Sequence, residues 1–224
     1  MSIRKLSLTL ALVLMASPLA AAGKSGTSLQ AVMKKVQEQQ RRTNTLQAEF
    51  RQEKLLALLA APEISTGTFV FSKPNNVRWS YTSPKRVEMV IAAGTLTTWY
   101  PDLKKAERLD VKRFEDSIFK YMGATGAIDE LSKYFNFTFT DSPSSPQYAL
   151  DLKPRTRSIE KRVKRIRLWI DKQSFMTSKI EYVEGDGDVT RYEFRNLKIN
   201  QPLDAGRFTL NLPTGTKLEQ MKLQ

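Results

Sequence analysis

Few residues in this chain are equipped for covalent chemistry. Its 224 residues include no His and no Cys, which removes a Ser-His-Asp arrangement, a thiolate nucleophile and an ordinary zinc site. Catalysis would have to rest on Asp, Glu, Lys, Tyr or Ser. Paired carboxylates can still cleave glycosides when an apolar surrounding raises the pKa of one of them. No acidic residue interrupts the apolar strand faces, so no such acid is expected and the chain reads as a non-enzyme. The densest acidic run is Glu184-Gly185-Asp186-Gly187-Asp188. Its alternating oxygens resemble part of a calcium loop, but the glycines are misplaced for one and Val189 onward reads as a strand. A hairpin turn is the simpler reading, and no metal or cofactor is expected.

The basic residues are a matter of surface rather than of catalysis. The formal charge is +13, a field that favours anionic partners or surfaces. It concentrates in Lys153, Arg155, Arg157, Lys161, Arg162, Lys164, Arg165 and Arg167, against the single Glu160. No nucleic-acid module accompanies this run, and nucleic acid is not expected as a partner. A solvated hairpin tip with its second strand carrying charge outward is preferred to a dedicated docking site.

The elements that must position these groups are mostly strands. From Thr68 to Tyr100, large apolar residues alternate with polar ones over several strand-length segments. Gly67, Phe69 and Phe71 share one side of a strand, Val77, Trp79 and Tyr81 one side of the next, and Val87, Met89 and Ile91 repeat the pattern. Turn residues separate them at Pro74-Asn75-Asn76, Ser83-Pro84 and Ala93-Gly94. A strand through Leu46, Ala48 and Phe50 precedes them, and Leu96 to Pro101 and Ala106 to Leu109 follow. Later strands carry Phe135, Phe137 and Phe139; Tyr148, Leu150 and Leu152; Ile166, Leu168 and Ile170; Ile180 and Tyr182; and Tyr192 and Phe194. The chain ends with Phe208-Thr209-Leu210-Asn211-Leu212-Pro213 and a polar tail.

Helical spacing appears in three places. Leu29, Val32, Met33 and Val36 form an apolar stripe within Ser28 to Arg42. Phe114, Ile118, Tyr121 and Met122 share a face of Lys112 to Met122, and Ile128, Leu131 and Phe135 do so over Ala127 to Phe135, with Gly123 and Gly126 between. At the N-terminus, Arg4 and Lys5 precede the uncharged Leu6 to Leu14 and then Ala20-Ala21-Ala22, the order of a cleaved secretory signal. The reading is a signal over residues 1–22, with the mature chain starting at Gly23 or, after cleavage at Ala20, at Ala21. Residues 23–224 then form one domain. Arg4 and Lys5 leave with the signal, so the exported protein carries two fewer positive charges.

About ten or eleven short antiparallel strands in up-and-down order will curl, since paired strands twist and a wide flat sheet is disfavoured. The fold class is α+β: an incomplete, unclosed antiparallel barrel, with an N-terminal helix and two mid-chain helices as a lid over its concave apolar face. A filled barrel with helices packed outside would show the same stripes, and periodicity does not separate the two.

The segment FVFSKPNNVRWSYT at 69–82, the apolar strand after it, the Gly94 turn and TTWYPDLKKAE at 97–107 resemble the periplasmic outer-membrane lipoprotein carrier family, LolA. The resemblance extends to the N-terminal helix, Leu46-x-x-x-Phe50-x-Gln52, the Gly67 strand, the mid-chain helices and Phe208-x-Leu210-x-x-Pro213. It implies a half-barrel whose cavity takes the acyl chains of lipoproteins. Such a carrier accepts cargo from an inner-membrane ATP-driven release complex and delivers it to an outer-membrane receptor, as a monomer in the periplasm. Phe50, Phe69, Phe71, Trp79, Tyr81, Met89, Ile91 and Leu168 are then expected to meet the lipid, and Phe114, Ile118, Tyr121 and Met122 to form the lid's apolar face. Broad aromatic surfaces give apolar contact with little shape selectivity, which suits variable cargo.

One departure from the family pattern concerns the residue before Pro74. The family places an Arg there that bonds main-chain groups of the lid, whereas this chain has Lys73, which keeps the charge and three donors but loses the planar fork. The resemblance assigns Lys73 the latch, directed at carbonyls near Tyr121 to Gly123. Two other readings share the fold: an envelope lipid-binding or lipoprotein-sensing interaction protein, and a carrier of non-lipoprotein lipids. The absence of a lipid-attachment Cys weighs against a lipoprotein receptor, and the absence of a long second domain against a sensor.

Overall fold

Helix α1, Leu29–Arg42, opens the fold, and its sequence supplies both ends. The Ser28 hydroxyl accepts a hydrogen bond from the Ala31 amide at 3.2 Å, pairing one of the donors that a helix start leaves over. Arg41 and Arg42 stand in the last turn, where cations suit the carbonyl end of the helix dipole. Thr43 closes the helix with its amide and hydroxyl on the Gln39 carbonyl. Val32 and Val36, one turn apart, are fully buried on the sheet side. Residues 27–57, 61–112 and 128–222 are described by the structure, a computed structural model.

The strands follow as β1 Thr45–Leu55, β2 Glu63–Ser72, β3 Asn76–Ser83, β4 Val87–Ala92, β5 Thr95–Tyr100 and β6 Lys105–Asp110. Helix α2, Ile128–Tyr134, leads into β7 Phe135–Asp141 and β8 Gln147–Pro154. A single turn, α3 Arg157–Glu160, connects to β9 Val163–Asp171, β10 Thr177–Glu184 and β11 Val189–Ile199, and β12 is Lys217–Met221. The mid-chain helix expected over Lys112 to Met122, with Phe114, Ile118, Tyr121 and Met122, lies outside the described residues, as does the expected signal at 1–22.

All twelve strands join one sheet in the order β12-β6-β5-β4-β3-β2-β1-β11-β10-β9-β8-β7. Two antiparallel meanders, β1 to β6 and β7 to β11, are joined where β1 lies antiparallel to β11. The end strands β12 and β7 are not partners, so the sheet is open. The architecture of the described residues is therefore an unclosed, mostly antiparallel half-barrel with few helices.

Among the described residues the count of twelve exceeds the expected ten or eleven because the polar tail supplies β12, which runs parallel to β6. The Lys217 amide donates to the Lys104 carbonyl at 2.8 Å, and Lys105 Nζ bridges Glu107 at 2.8 Å and Glu219 at 3.0 Å. Before it, Ala205–Phe208 forms a 3-10 turn capped by the Asp204 carboxylate. Residues 209–213, the rest of the Phe208 to Pro213 segment, continue as irregular chain instead of pairing as a strand.

Alternation sorts the side chains cleanly between faces. The concave face holds two apolar clusters that meet at Phe194. One joins Val32 and Val36 of α1 to Leu150, Leu152, Ile166, Leu168 and Ile170, and the other gathers Leu46, Phe50, Phe69, Phe71, Val77 and Ile91. The convex face carries a ladder of ion pairs. Arg167 makes two 2.7 Å bonds to Asp151, Arg165 and Arg191 each reach Glu181 at 2.7 Å, and Lys179 meets Glu193 at 3.0 Å. Arg165 and Arg167 of the basic run are thus spent on neighbouring strands. The acidic run turns β10 into β11, with the Glu184 amide on the Asp188 carbonyl at 2.8 Å.

Candidate functional site

The aromatic half of the concave face is built by strand register. Phe69 of β2 stands between Ala48 of β1 and Trp79 of β3, while Gly67 stands between Phe50 and Tyr81. A Cβ on Gly67 would strike the Phe50 ring and the Ser80 carbonyl, so the missing side chain is what lets the Phe50 ring lie across β2. Phe50 then sits 5.2 Å from Trp79 and 5.0 Å from Tyr81, and Trp79 sits 4.8 Å from Phe69 and 5.4 Å from Tyr192, ring centre to ring centre. These tilted and edge-to-face arrangements match the ring quadrupoles.

Three polar atoms reach into this otherwise apolar group. The hydroxyls of Tyr81 and Tyr192 are 3.4 Å apart. Burial raises both phenol pKa values above their ordinary range, and it pushes the neighbouring Tyr182 up to about 12, so all three stay neutral and able to donate. The third atom, the indole Nε1 of Trp79, is buried and has no hydrogen-bond partner among the described residues.

The aliphatic half contains a cavity of about 580 Å³, lined by Leu131, Phe135, Ile159, Val163, Ile166, Leu168, Ile180 and Tyr182, with Tyr134, Ser158 and Arg162 also on its wall. Ser158 and Arg162 are exposed, and Tyr134 is 43% exposed. The volume falls within the range of sites that engulf small ligands. Ile180 is the register partner of Leu168 on one side and of Tyr192 on the other. One row of side chains therefore runs from the cavity wall to the aromatic cluster.

Of the expected lipid-contact residues, Leu168 lines this cavity. Phe50, Phe69, Phe71 and Ile91 are buried in the aromatic half, and Trp79, Tyr81 and Met89 are half-buried. Met89 stands opposite Trp79 in register. Sequence reasoning did not single out Ile159, Val163, Ile166, Ile180 or Tyr182 as site residues. The alternation of β9 and β10 contains a signal for Ile166, Ile180 and Tyr182, whereas Val163 falls out of phase beside a register irregularity and Ile159 is hidden inside the basic run.

Lys73 donates from Nζ to the Arg41 carbonyl at 2.6 Å, with Asn44 Oδ1 at 3.5 Å. That carbonyl belongs to the last turn of α1, where helical partners run out. The segment Tyr121 to Gly123, to which the latch was directed from sequence, lies outside the described residues. Among the described residues no three acidic side chains are grouped to hold a metal.

Comparison with known proteins gives a consistent result. Residues 41–211 match the family described as outer membrane lipoprotein carrier protein LolA. The outer-membrane lipoprotein carrier protein of Methylococcus capsulatus is 30% identical over 80% of this chain and 82% of its own length. That of Azotobacter vinelandii is 25% identical over 80% and 83%. The crystal structure of an uncharacterized conserved protein from Thermus thermophilus superposes with a TM-score of 0.56, at 9% identity, over 86% of this chain and 98% of that one. That last likeness is one of fold.

Proposed function

The chain belongs to the LolA family of outer-membrane lipoprotein carrier proteins, and from that premise we propose that it is a periplasmic carrier which shields lipoprotein acyl chains in transit. The cargo is received from an inner-membrane, ATP-driven release complex and passed to an outer-membrane receptor, with residues 23–224 as the carrier domain of a monomer. The observation that carries this reading is the cavity of about 580 Å³ walled by aliphatic and aromatic side chains on the concave face.

The energetics suit such a role. Each methylene withdrawn from water gains about 0.8 kcal/mol, so one long acyl chain left in water costs on the order of 10 kcal/mol. An open sheet can shield that surface and still release it, because no closed ring of strands has to part. In this reading Leu168 and the aromatic cluster face the lipid, Phe114, Ile118, Tyr121 and Met122 cover it, and the fold performs no bond cleavage.

Depletion of the protein in the cell that encodes it tests the proposal. Acylated lipoproteins destined for the outer membrane should accumulate in the inner-membrane fraction. The intact gene should reverse this, while a Leu168→Glu version, made at normal levels, should not. Unchanged delivery of lipoproteins after depletion would contradict the carrier role.

A further inference from the structure

We propose that Trp79 Nε1, together with the Tyr81 and Tyr192 hydroxyls, recognises the ester carbonyls of an acylated glycerol, so that the lipid's glycerol end lies at the aromatic cluster and its chains run toward the cavity. This assignment rests on the carrier reading and specifies which part of the lipid sits where. The indole N–H is buried without an acceptor among the described residues, and such a donor is costly until something accepts from it. Its ring is fixed by Phe69 at 4.8 Å, Phe50 at 5.2 Å and Tyr192 at 5.4 Å. It is thus a positioned donor that belongs to the concave apolar cluster.

The hydroxyl pair adds the second requirement. At 3.4 Å the Tyr81 and Tyr192 hydroxyls hold each other weakly, leaving hydrogen-bonding capacity for another polar group. Tyr192 adjoins Ile180 in register, and Ile180 lines the cavity, so chains attached to an ester held here have an apolar path. An orphan indole is not sufficient by itself. Trp99 Nε1 is also buried and unpartnered among the described residues, but Trp99 stands in register with Glu88 and Ala106 on the other face of the sheet, away from both apolar clusters. The ligand chemistry that fits the concave site is a neutral acceptor joined to long alkyl chains, which is a fatty ester.

The test compares two neutral lipids of equal chain length, 1,2-dipalmitoyl-sn-glycerol and its ether counterpart 1,2-di-O-hexadecyl-sn-glycerol, as competitors for a fluorescent acyl probe on the delipidated protein. The ester should bind about five- to tenfold tighter than the ether, the usual worth of one neutral hydrogen bond. Trp79→Phe should narrow the gap between ester and ether, with the tyrosine hydroxyls left to hold what remains of it. In the unmodified protein, the indole ¹⁵N–¹H resonance of Trp79 should move downfield with the ester and not with the ether, a readout that does not depend on any variant folding. Equal affinity for the two lipids, or an unmoved Trp79 resonance with the ester, would overturn this proposal alone. Failure of both lipids to bind would overturn the carrier reading along with it.

Discussion

Glu181 shows what a single residue does on the convex face. Its side chain is only 8% exposed and lies between Arg165 and Arg191, each at 2.7 Å. Burial opposes ionisation of this carboxyl, but the hydrogen bonds from Arg191 and Arg165 outweigh it and hold the pKa below the ordinary carboxylate range. A depressed folded-state pKa stabilises the protein above the unfolded pKa, near 4.5, and that contribution is lost as pH falls through the folded value. Glu181→Gln should therefore lower stability at pH 7 by about 1.5–3 kcal/mol, the range for a charged hydrogen bond. Thermal melts of the two proteins should converge as pH is lowered toward 3. A gap that stays constant across that range would mean the pair contributes nothing through charge. The sequence showed Arg165 and Arg167 only as part of a basic run, because their acidic partners stand on other strands. Asp151 and Glu181 come opposite them only once β8, β9 and β10 are in register.

Among the elements, α1 is held from below by Val32 and Val36 and at its end by Lys73 and by Asn200, whose side-chain amide donates to the Arg42 carbonyl at 2.9 Å. Lys73→Leu removes the donor to the Arg41 carbonyl, and a hydrogen bond from a charged group is worth roughly 1.5–3 kcal/mol. Backbone amides of residues 29–42 should then exchange faster by about tenfold or more, while those of β9 and β10 stay unchanged. In the carrier reading the same variant should load lipid readily and hand it on poorly, since closure of the empty form loses its support. Unchanged exchange in α1 and unchanged transfer would reduce Lys73 to a solvated turn residue. The elements themselves were largely legible: Leu29, Val32, Met33 and Val36 announce α1, and period-two alternation announces most of the strands. The Lys73 partner was not legible, since several helix ends offer unpaired carbonyls and sequence does not say which one lies beside Pro74. Strand β12 was hidden for a different reason. KLEQM has no run of large alternating residues, and it pairs at the sheet edge through backbone bonds and the Lys105–Glu219 bridge while Leu218 and Met221 remain exposed.

At the scale of the molecule, the open sheet divides into a packed aromatic half and an aliphatic half that contains the cavity. Periodicity identified the concave face but not how densely each part of it is filled. That is why Phe71, fully buried, and Leu168, on the cavity wall, looked alike in sequence. The division matters for function, because a carrier needs rigid walls on one side and vacant apolar volume on the other. The most direct measurement is binding of a synthetic triacylated lipopeptide against the same peptide without its acyl chains, followed by native mass spectrometry of the purified protein. The account predicts a one-to-one complex with the acylated peptide, lost on Leu168→Glu, and no complex with the bare peptide. Equal binding of both peptides, or binding of neither, would contradict it.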